Sequence, residues 1–189
     1  MTTSSNVRRW VAAFGMFWWL VACGLSPAGA AEKSMARFAA AQPVLNPMQF
    51  FTGRTSSLGV IENRRGEPVQ MVRTSTSGRI VGGELRMEQT LWIGQKPPQR
   101  RTWKVRQIDR HHFEATANDM VGTARGEAWG NTFRWSFELA TKPGNPLANV
   151  RMTQHMYLQP GGQTLVNRST LQALGIHIGS VTEQFQRLR

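Results

Sequence analysis

From Phe50 onward the chain consists of short segments in which apolar and polar residues alternate. The clearest segment runs from Phe133 to Leu139, where the odd-numbered residues are large and apolar and the even-numbered residues are polar. Residues that alternate in this way lie on opposite faces of a β-strand, so one face is buried and the other meets water. Because the pattern recurs from Leu85 to Ile93 and from Val150 to Leu158, we predict strands at all three places.

Turn-forming residues separate the strand-like segments about every 8–12 residues, which is typical of antiparallel sandwiches and barrels. The turns are rich in Gly, Pro, Asn and Asp: Gly78, Gly82–Gly83, Lys96–Pro98, Asp109–Arg110, Gly130–Asn131, Pro143–Pro146 and Pro160–Gly162. No amphipathic helix of comparable clarity follows Gly53. A meander of many strands exposes its edges unless it closes. The sequence therefore predicts a single all-β domain that forms an antiparallel barrel.

The first thirty residues have the features of a signal for export from a bacterial cytoplasm. Arg8 and Arg9 precede an uncharged, apolar run from Trp10 to Leu25. This run is shorter than the roughly 18–20 apolar residues that a membrane-spanning helix needs. A positive start followed by a short apolar stretch is typical of a signal peptide. We predict a signal peptide over residues 1–30, a tether or short helix over 31–49 and the barrel domain over 50–189.

Two cleavage sites fit the end of this signal. Ala28-Gly29-Ala30 has the small residues that precede cleavage in soluble secreted proteins, and use of this site discards Cys23. Leu20-Val21-Ala22-Cys23 resembles the lipobox of bacterial lipoproteins, in which the thiol is acylated and becomes the first mature residue. Cys23 is the single cysteine of the chain, so the mature domain forms no internal disulfide and depends on a packed core.

The formal net charge is +12, and most of the 23 basic residues are arginines. In a cytoplasmic protein this charge would indicate nucleic acid as a partner. For an exported protein the available polyanions are lipid headgroups and lipopolysaccharide phosphates, which arginine binds through paired hydrogen bonds. The alternative is a charge spread over a solvated surface that serves solubility. We expect no nucleic-acid partner, and contact with a membrane through a lipid anchor or a basic surface.

A series of short motifs follows in order through the mature domain: Phe50–Gly53, Leu58–Ile61, Trp103, Asn118–Gly122 with Ala124 and Gly126, Gly130–Asn131, Trp135, Met156–Leu158 and Leu165–Arg168. Their order and spacing resemble the proteobacterial lipoproteins grouped as domain of unknown function family 3833. The resemblance implies a lipocalin-like barrel, favours lipid attachment at Cys23 and implies no established activity. With a lipid on Cys23, we expect the protein in the periplasm, tethered to the inner face of the outer membrane. One departure is Thr153-Gln154-His155, where the family usually has an acidic residue.

The common signatures of catalysis are absent from the sequence: the G-x-S-x-G elbow, the Walker loop, G-x-G-x-x-G and H-E-x-x-H. His111 and His112 are adjacent on a predicted strand, so their side chains point to opposite faces and cannot share a metal. His155 and His177 are isolated in the sequence. We therefore expect no metal site, no cofactor and no catalytic residues.

Asp119 is the carboxylate of greatest interest, since Arg125, Asn131 and Arg134 follow it. A buried Asp with arginine partners can orient an anionic or polar ligand, or serve as an acid or base. The alternative is a structural role, in which Asn118 and Asp119 hydrogen-bond the local backbone at a strand end.

Asn167 and Arg168 are neighbours on another predicted strand, so only one of them can face the barrel interior. An interior Arg168 paired with Asp119 or Glu127 would be structural, whereas an unpaired one would indicate a bound carboxylate or phosphate. Trp103 is expected to point inward from a strand with a basic outer face. Aromatic residues in a small barrel either fill the core or line a ligand cavity. The same alternatives apply to three other tryptophans: Trp92, Trp129 and Trp135.

Three functions are compatible with these patterns. The first is a cell-envelope module that binds a lipid or another small amphipathic molecule inside the barrel. The second is a structural or assembly factor with a filled barrel, and the third, ranked last, is an enzyme that uses Asp119. The candidate ligand-binding residues are Trp103, Asp119, Arg125, Asn131, Arg134, Trp135, Tyr157, Asn167 and Arg168.

Overall fold

The structure is a computed structural model that describes residues 34–142 and 144–189. Its ten strands are β1 (Gly53–Asn63), β2 (Pro68–Val81), β3 (Glu84–Ile93), β4 (Gln99–Gln107), β5 (His112–Ala117), β6 (Met120–Trp129), β7 (Thr132–Leu139), β8 (Val150–Leu158), β9 (Thr164–Ala173) and β10 (Ile176–Leu188). A 3₁₀ helix (Ala36–Phe38) and the helix α1 (Pro47–Phe50) precede β1, and a second 3₁₀ helix (Pro146–Ala148) lies between β7 and β8. The predicted signal peptide and Cys23 lie outside the described residues.

The ten strands form one closed barrel in which each strand pairs with its neighbours in the chain. All the pairings are antiparallel, and β1 closes the sheet by pairing with β10 as well as with β2. The predicted all-β antiparallel barrel is confirmed. No helix within the described ranges is long and apolar enough to cross a membrane.

The alternation of apolar and polar residues sets which side chains enter the barrel. The predicted strand at Phe133–Leu139 corresponds to β7, and its residues Phe133, Trp135 and Phe137 are buried. Leu85 and Met87 of β3 belong to the same core. Each predicted inward face is therefore the inward face of the barrel.

Two of the tryptophans that were expected to fill the core or line a cavity do neither. Trp92 lies on the outer face of β3, with the Arg73 guanidinium carbon 4.2 Å from the centre of its ring. Trp129 stacks on His111, with ring centres 3.8 Å apart, and is not part of the core cluster. Strand parity decides this outcome, because Trp92 and Trp129 directly follow inward-facing residues.

The segment before β1 covers one end of the barrel, which we call the closed end. Asn46 caps α1 by accepting a hydrogen bond from the backbone N–H of Met48 at 2.9 Å. Phe50 and Phe51 are buried, and the Phe51 ring packs edge-on against Phe185 with centres 5.7 Å apart. The other end, formed by the β1–β2, β3–β4, β5–β6, β7–β8 and β9–β10 connections, is called the open end.

The turn between β6 and β7 joins the closed end to this segment. The backbone N–H of Leu45 donates to the carbonyl oxygen of Gly130 at 2.8 Å. Gly130 has a φ of +53°, and a β carbon there would overlap the carbonyl oxygen of Phe38. The segment can approach the barrel this closely only because residue 130 has no side chain.

Gly130→Ala is expected to destabilise the protein by at least about 2 kcal/mol, because it combines backbone strain with a steric clash. Gly162→Ala is the matched control. Gly162 also has a positive φ, of +70°, but no heavy atom would lie within 4 Å of its new β carbon. The control should lose only the roughly 1–2 kcal/mol of the left-handed conformation. Urea denaturation measures both losses, and equal losses would contradict the close approach described for Gly130.

Candidate functional site

Side chains that point inward toward the open end leave a cavity of about 300 Å³. Phe51 lies at its base, and its walls come from β1–β4 and β7–β10. Water occupies roughly 30 Å³ per molecule, so this volume is equivalent to about ten waters. Ligand pockets range over about 300–1,000 Å³, so the cavity suits a small ligand.

One wall of the cavity is aromatic. Trp103 of β4 and Trp135 of β7 stack with ring centres 4.9 Å apart and an interplanar angle of 23°. Phe137 packs edge-on against both rings, at 5.3 and 5.5 Å. Aromatic pairs in these geometries add about 0.5–1.5 kcal/mol each beyond the burial of area, which holds the wall in place. Flexible methionines at positions 87, 152 and 156 complete this part of the lining.

A continuous network of hydrogen-bonded polar side chains lies behind the largely apolar lining and reaches the cavity at Gln154, Glu183 and Thr74. The network extends over six strands through the side chains of Trp135, Gln154, Ser169, Asn167, Glu183, Ser57 and Thr74. All seven of these side chains are buried. Buried polar groups that hydrogen-bond to one another cost less free energy than unpaired ones, and the network holds these side chains in fixed positions.

Glu183 of β10 is the carboxyl group of this network. Its Oε1 accepts a hydrogen bond from Ser57 Oγ at 2.9 Å, and its Oε2 accepts one from Asn167 Nδ2 at 3.2 Å. Burial raises the pKa of Glu183, and the two hydrogen bonds together with the charge of Arg101 oppose this only in part. A β carbon at Gly59 would collide with Cγ of Glu183, so the glycine makes room for this side chain. Glu183 therefore keeps its proton to a higher pH than a solvent-exposed glutamate does.

Arg101 of β4 is the basic group of the cavity. It points inward because it shares strand parity with Trp103, and its guanidinium carbon lies 5.6 Å from the centre of that ring. Asp119, in the turn between β5 and β6, accepts from Arg101 Nε at 2.8 and 2.9 Å and pairs with Nη2 at 2.7 Å. The side chain of Arg101 is 11 % exposed and that of Asp119 is 34 % exposed. The pair therefore lies where the cavity meets the open end.

Four of the sequence-predicted candidates contribute to this site. Trp103 and Trp135 line the cavity. Asp119 orients Arg101, and Asn167, which is fully buried, orients Glu183. The alternative role for Asn118 and Asp119 was a hydrogen bond to the backbone. Asn118 makes such a bond, since its Oδ1 accepts from the backbone N–H of Thr102 on the neighbouring strand at 2.8 Å.

The other five candidates do not reach the cavity. Arg125 and Arg134 lie on the outer face, 3.9 Å from Glu114 and 3.7 Å from Glu127 respectively. Asn131 lies at the closed end, where it donates to the carbonyl oxygen of Leu158. Tyr157 and Arg168 also face outward, since each is next to an inward-facing residue on its strand. Both alternatives for Arg168, a pairing with Asp119 or Glu127 and a bound anion, required it to face the interior, and instead Asp119 pairs with Arg101 and Glu127 with Arg134.

Arg101 and Glu183 are the functional candidates that the sequence-based interpretation missed. A signal for both was present, since an inward-facing apolar residue lies two positions away from each. Arg101 precedes Trp103 by two residues, and Glu183 lies between Val181 and Phe185. A charged residue at an inward position of an otherwise apolar face is rare unless it is paired, which makes it a sign of function.

His155 lies on the outer face of β8, opposite Arg134 on one side and Arg168 on the other. Burial lowers the pKa of His155, and the two neighbouring cations lower it further. Across residues 34–142 and 144–189, no three His, Cys, Asp or Glu side chains lie together in a way that could hold a metal ion.

A protein-family model matches residues 25–187, and its description is "Protein of unknown function (DUF3833)". The chain belongs to this family. The resemblance to domain of unknown function family 3833, drawn from the short motifs, is thereby confirmed. No curated protein matches this DUF3833 chain.

Solved structures share its barrel. An S-type phycobiliprotein lyase from Guillardia theta has a TM-score of 0.57 at 8 % identity, over 75 % of this chain and 90 % of that one. A protein of unknown function from the DUF3598 family of Nostoc punctiforme has a TM-score of 0.54 at 11 % identity, over 78 % of this chain and 51 % of that one. Rv2717c from M. tuberculosis has a TM-score of 0.53 at 13 % identity, over 77 % of this chain and 99 % of that one. At these identities the similarity concerns the fold alone, and the predicted lipocalin-like barrel is confirmed.

Glu183→Gln is expected to make the protein more stable than the wild type at pH 8 and to lose this advantage on acidification. Unfolded Glu183 releases its proton near the ordinary pKa of 4.5, whereas the folded protein retains it to higher pH. The wild-type free energy of unfolding therefore falls as the pH rises between these two values. Urea denaturation from pH 4 to pH 8 measures the difference.

The control for this prediction is Glu88→Gln, which removes an exposed carboxylate from the outer face of β3. It should change stability by no more than about 0.5 kcal/mol. A wild-type free energy of unfolding that does not fall as the pH rises from 4 to 8, relative to Glu183→Gln, would contradict the raised pKa of Glu183.

Proposed function

We propose that this protein is an exported cell-envelope protein that holds one small amphipathic molecule inside its barrel. The observation that carries the proposal is the cavity of about 300 Å³, which is lined mostly by apolar side chains and by a few polar groups. Small-molecule sites are mostly apolar and have a few polar groups in fixed positions. Here those groups are Arg101 and Glu183, and each is held by hydrogen bonds to its neighbours.

The alternative expectation was a barrel filled with side chains and without a ligand. Its interior would be packed from end to end, as it is around Phe113 and Phe133 near the closed end. Toward the open end the inward side chains do not fill the interior and leave the cavity between them. The cavity therefore supports binding over a purely structural role. One of the proteins that share the barrel is a phycobiliprotein lyase, but a fold hosts many functions and does not transfer that activity.

The proposal of export rests on the sequence. Arg8 and Arg9 followed by the uncharged run from Trp10 to Leu25 support a signal peptide. The lipobox-like residues ending at Cys23 support attachment of a lipid there. On this proposal the protein is held at the inner face of the outer membrane, where an amphipathic molecule is an available ligand.

Met152→Trp is expected to weaken binding of the neutral fluorescent probe N-phenyl-1-naphthylamine by about tenfold or more, or about 1.4 kcal/mol. Met152 lines the cavity, and the larger indole takes up space that the probe needs. Met71→Trp is the matched control, because Met71 is 54 % exposed and lies on the outer face of β2. Titration followed by probe fluorescence gives both affinities.

The same pair of variants identifies the natural ligand. Protein purified from its native cells is extracted with organic solvent, and the extract is analysed by mass spectrometry. One class of amphipathic molecule is expected from the wild type and from Met71→Trp, and much less of it from Met152→Trp. Wild-type protein that binds no probe and releases no such molecule would overturn the proposed function.

Cells that express the protein are expected to incorporate radioactive palmitate into it, and Cys23→Ser should abolish this labelling. The thiol of Cys23 is the proposed acceptor, and serine has the same size without that thiol. Electrophoresis of the labelled membranes measures the incorporation. An unlabelled wild-type protein that is cleaved after Ala30 would instead establish soluble release.

A further inference from the structure

We propose that Arg101 binds an anionic headgroup at the open end, so that the ligand is a compact amphipath with a carboxylate or phosphate head and an apolar body. This inference rests on the proposed function and adds the chemical class of the molecule. Arg101 is the one basic side chain among the described residues that line the cavity.

The geometry of Arg101 leaves donors for a second partner. A guanidinium group presents five N–H donors in a rigid fork. Asp119 approaches from the Nε side and takes Nε and Nη2, at 2.7–2.9 Å. Nη1 and the second N–H of Nη2 are therefore left for other acceptors. The carboxylate fixes the orientation of the guanidinium without using its full capacity, which is how a binding group is preorganised.

The surroundings of Arg101 order the two parts of the ligand. The guanidinium carbon lies 5.6 Å from the centre of the Trp103 ring, and Trp103 in turn stacks on Trp135. A head bound to Arg101 at the open end thus has its body directly against the aromatic wall. The base of the cavity is apolar at Phe51, so the far end of the body meets no second charged group there.

Charge favours an anion over a cation at this position. The chain has a formal net charge of +12, which attracts anions from solution. Glu183 is the acidic side chain of the cavity lining, and burial raises its pKa, which weakens its opposition to a bound anion. A protonated amine head would be repelled by the Arg101 guanidinium at the entrance.

The test compares four eight-carbon amphipaths as competitors of N-phenyl-1-naphthylamine: octanoate, octyl phosphate, octanol and octylamine. At least one of the two anions is expected to bind about tenfold or more tightly than octanol, since hydrogen bonds to charged groups contribute roughly 1.5–3 kcal/mol. Octylamine is expected to bind most weakly. The order of octanoate and octyl phosphate distinguishes a carboxylate head from a phosphate head.

Two arginine variants assign the effect. Arg101→Gln is expected to reduce the preference for an anion over octanol to less than about threefold, a ratio that is measured within one protein and so does not depend on how tightly that protein binds the probe. Arg100→Gln is the matched control, because it removes the same charge from an exposed neighbour on the same strand. It should keep the full preference. Calorimetric titration of the better-bound anion gives an independent measure for each protein.

The outcomes separate this inference from the proposed function. If the wild type binds the probe but prefers neither anion to octanol, the inference is wrong and the binding function stands. Equal loss of the preference in both arginine variants would assign it to long-range charge and overturn the role of Arg101. If the wild type binds neither the probe nor any amphipath, the proposed function fails and the inference fails with it.

Discussion

Ten residue pairs join β1 to β10, the first strand of the barrel to the last. This pairing leaves no strand with an unpaired edge and forces each inward side chain into a shared interior. Near the closed end that interior is filled by phenylalanines, such as Phe113 and Phe133, whose rings meet edge-on. Toward the open end the inward side chains leave a cavity. The cavity and its aromatic wall follow from which residues occupy the inward positions of strands whose closure is already set.

Much of the fold could be predicted because alternation is a local property of each strand. The predicted segment Phe133–Leu139 differs from β7 only by the addition of Thr132. The two misjudged tryptophans show the limit of arguing from residue type. Trp92 and Trp129 were expected inside because they are large and apolar, although the parity of their strands places them outside. The Arg73 guanidinium over Trp92 and the His111 ring against Trp129 partly cover these outward-facing side chains.

Less of the candidate site could be predicted, because its polar contacts join distant parts of the chain. Arg101 and Asp119 are 18 residues apart, and their meeting depends on the β4–β5 register and on the turn after β5. Ser57 and Glu183 are 126 residues apart and meet only because the barrel closes. Strand parity alone already marks Arg101 and Glu183 as inward-facing charges. What it cannot supply is the partner of each, on which the charge state of the group depends.

The closed end also determines where a molecule can enter the barrel. The described chain begins beside this end, where Phe38 and Leu45 contact the β6–β7 turn at Gly130. The N-terminal segment and the cavity therefore lie toward opposite ends of the barrel. Changes in the segment that covers the closed end act on stability, and they leave the residues around the cavity entrance in place.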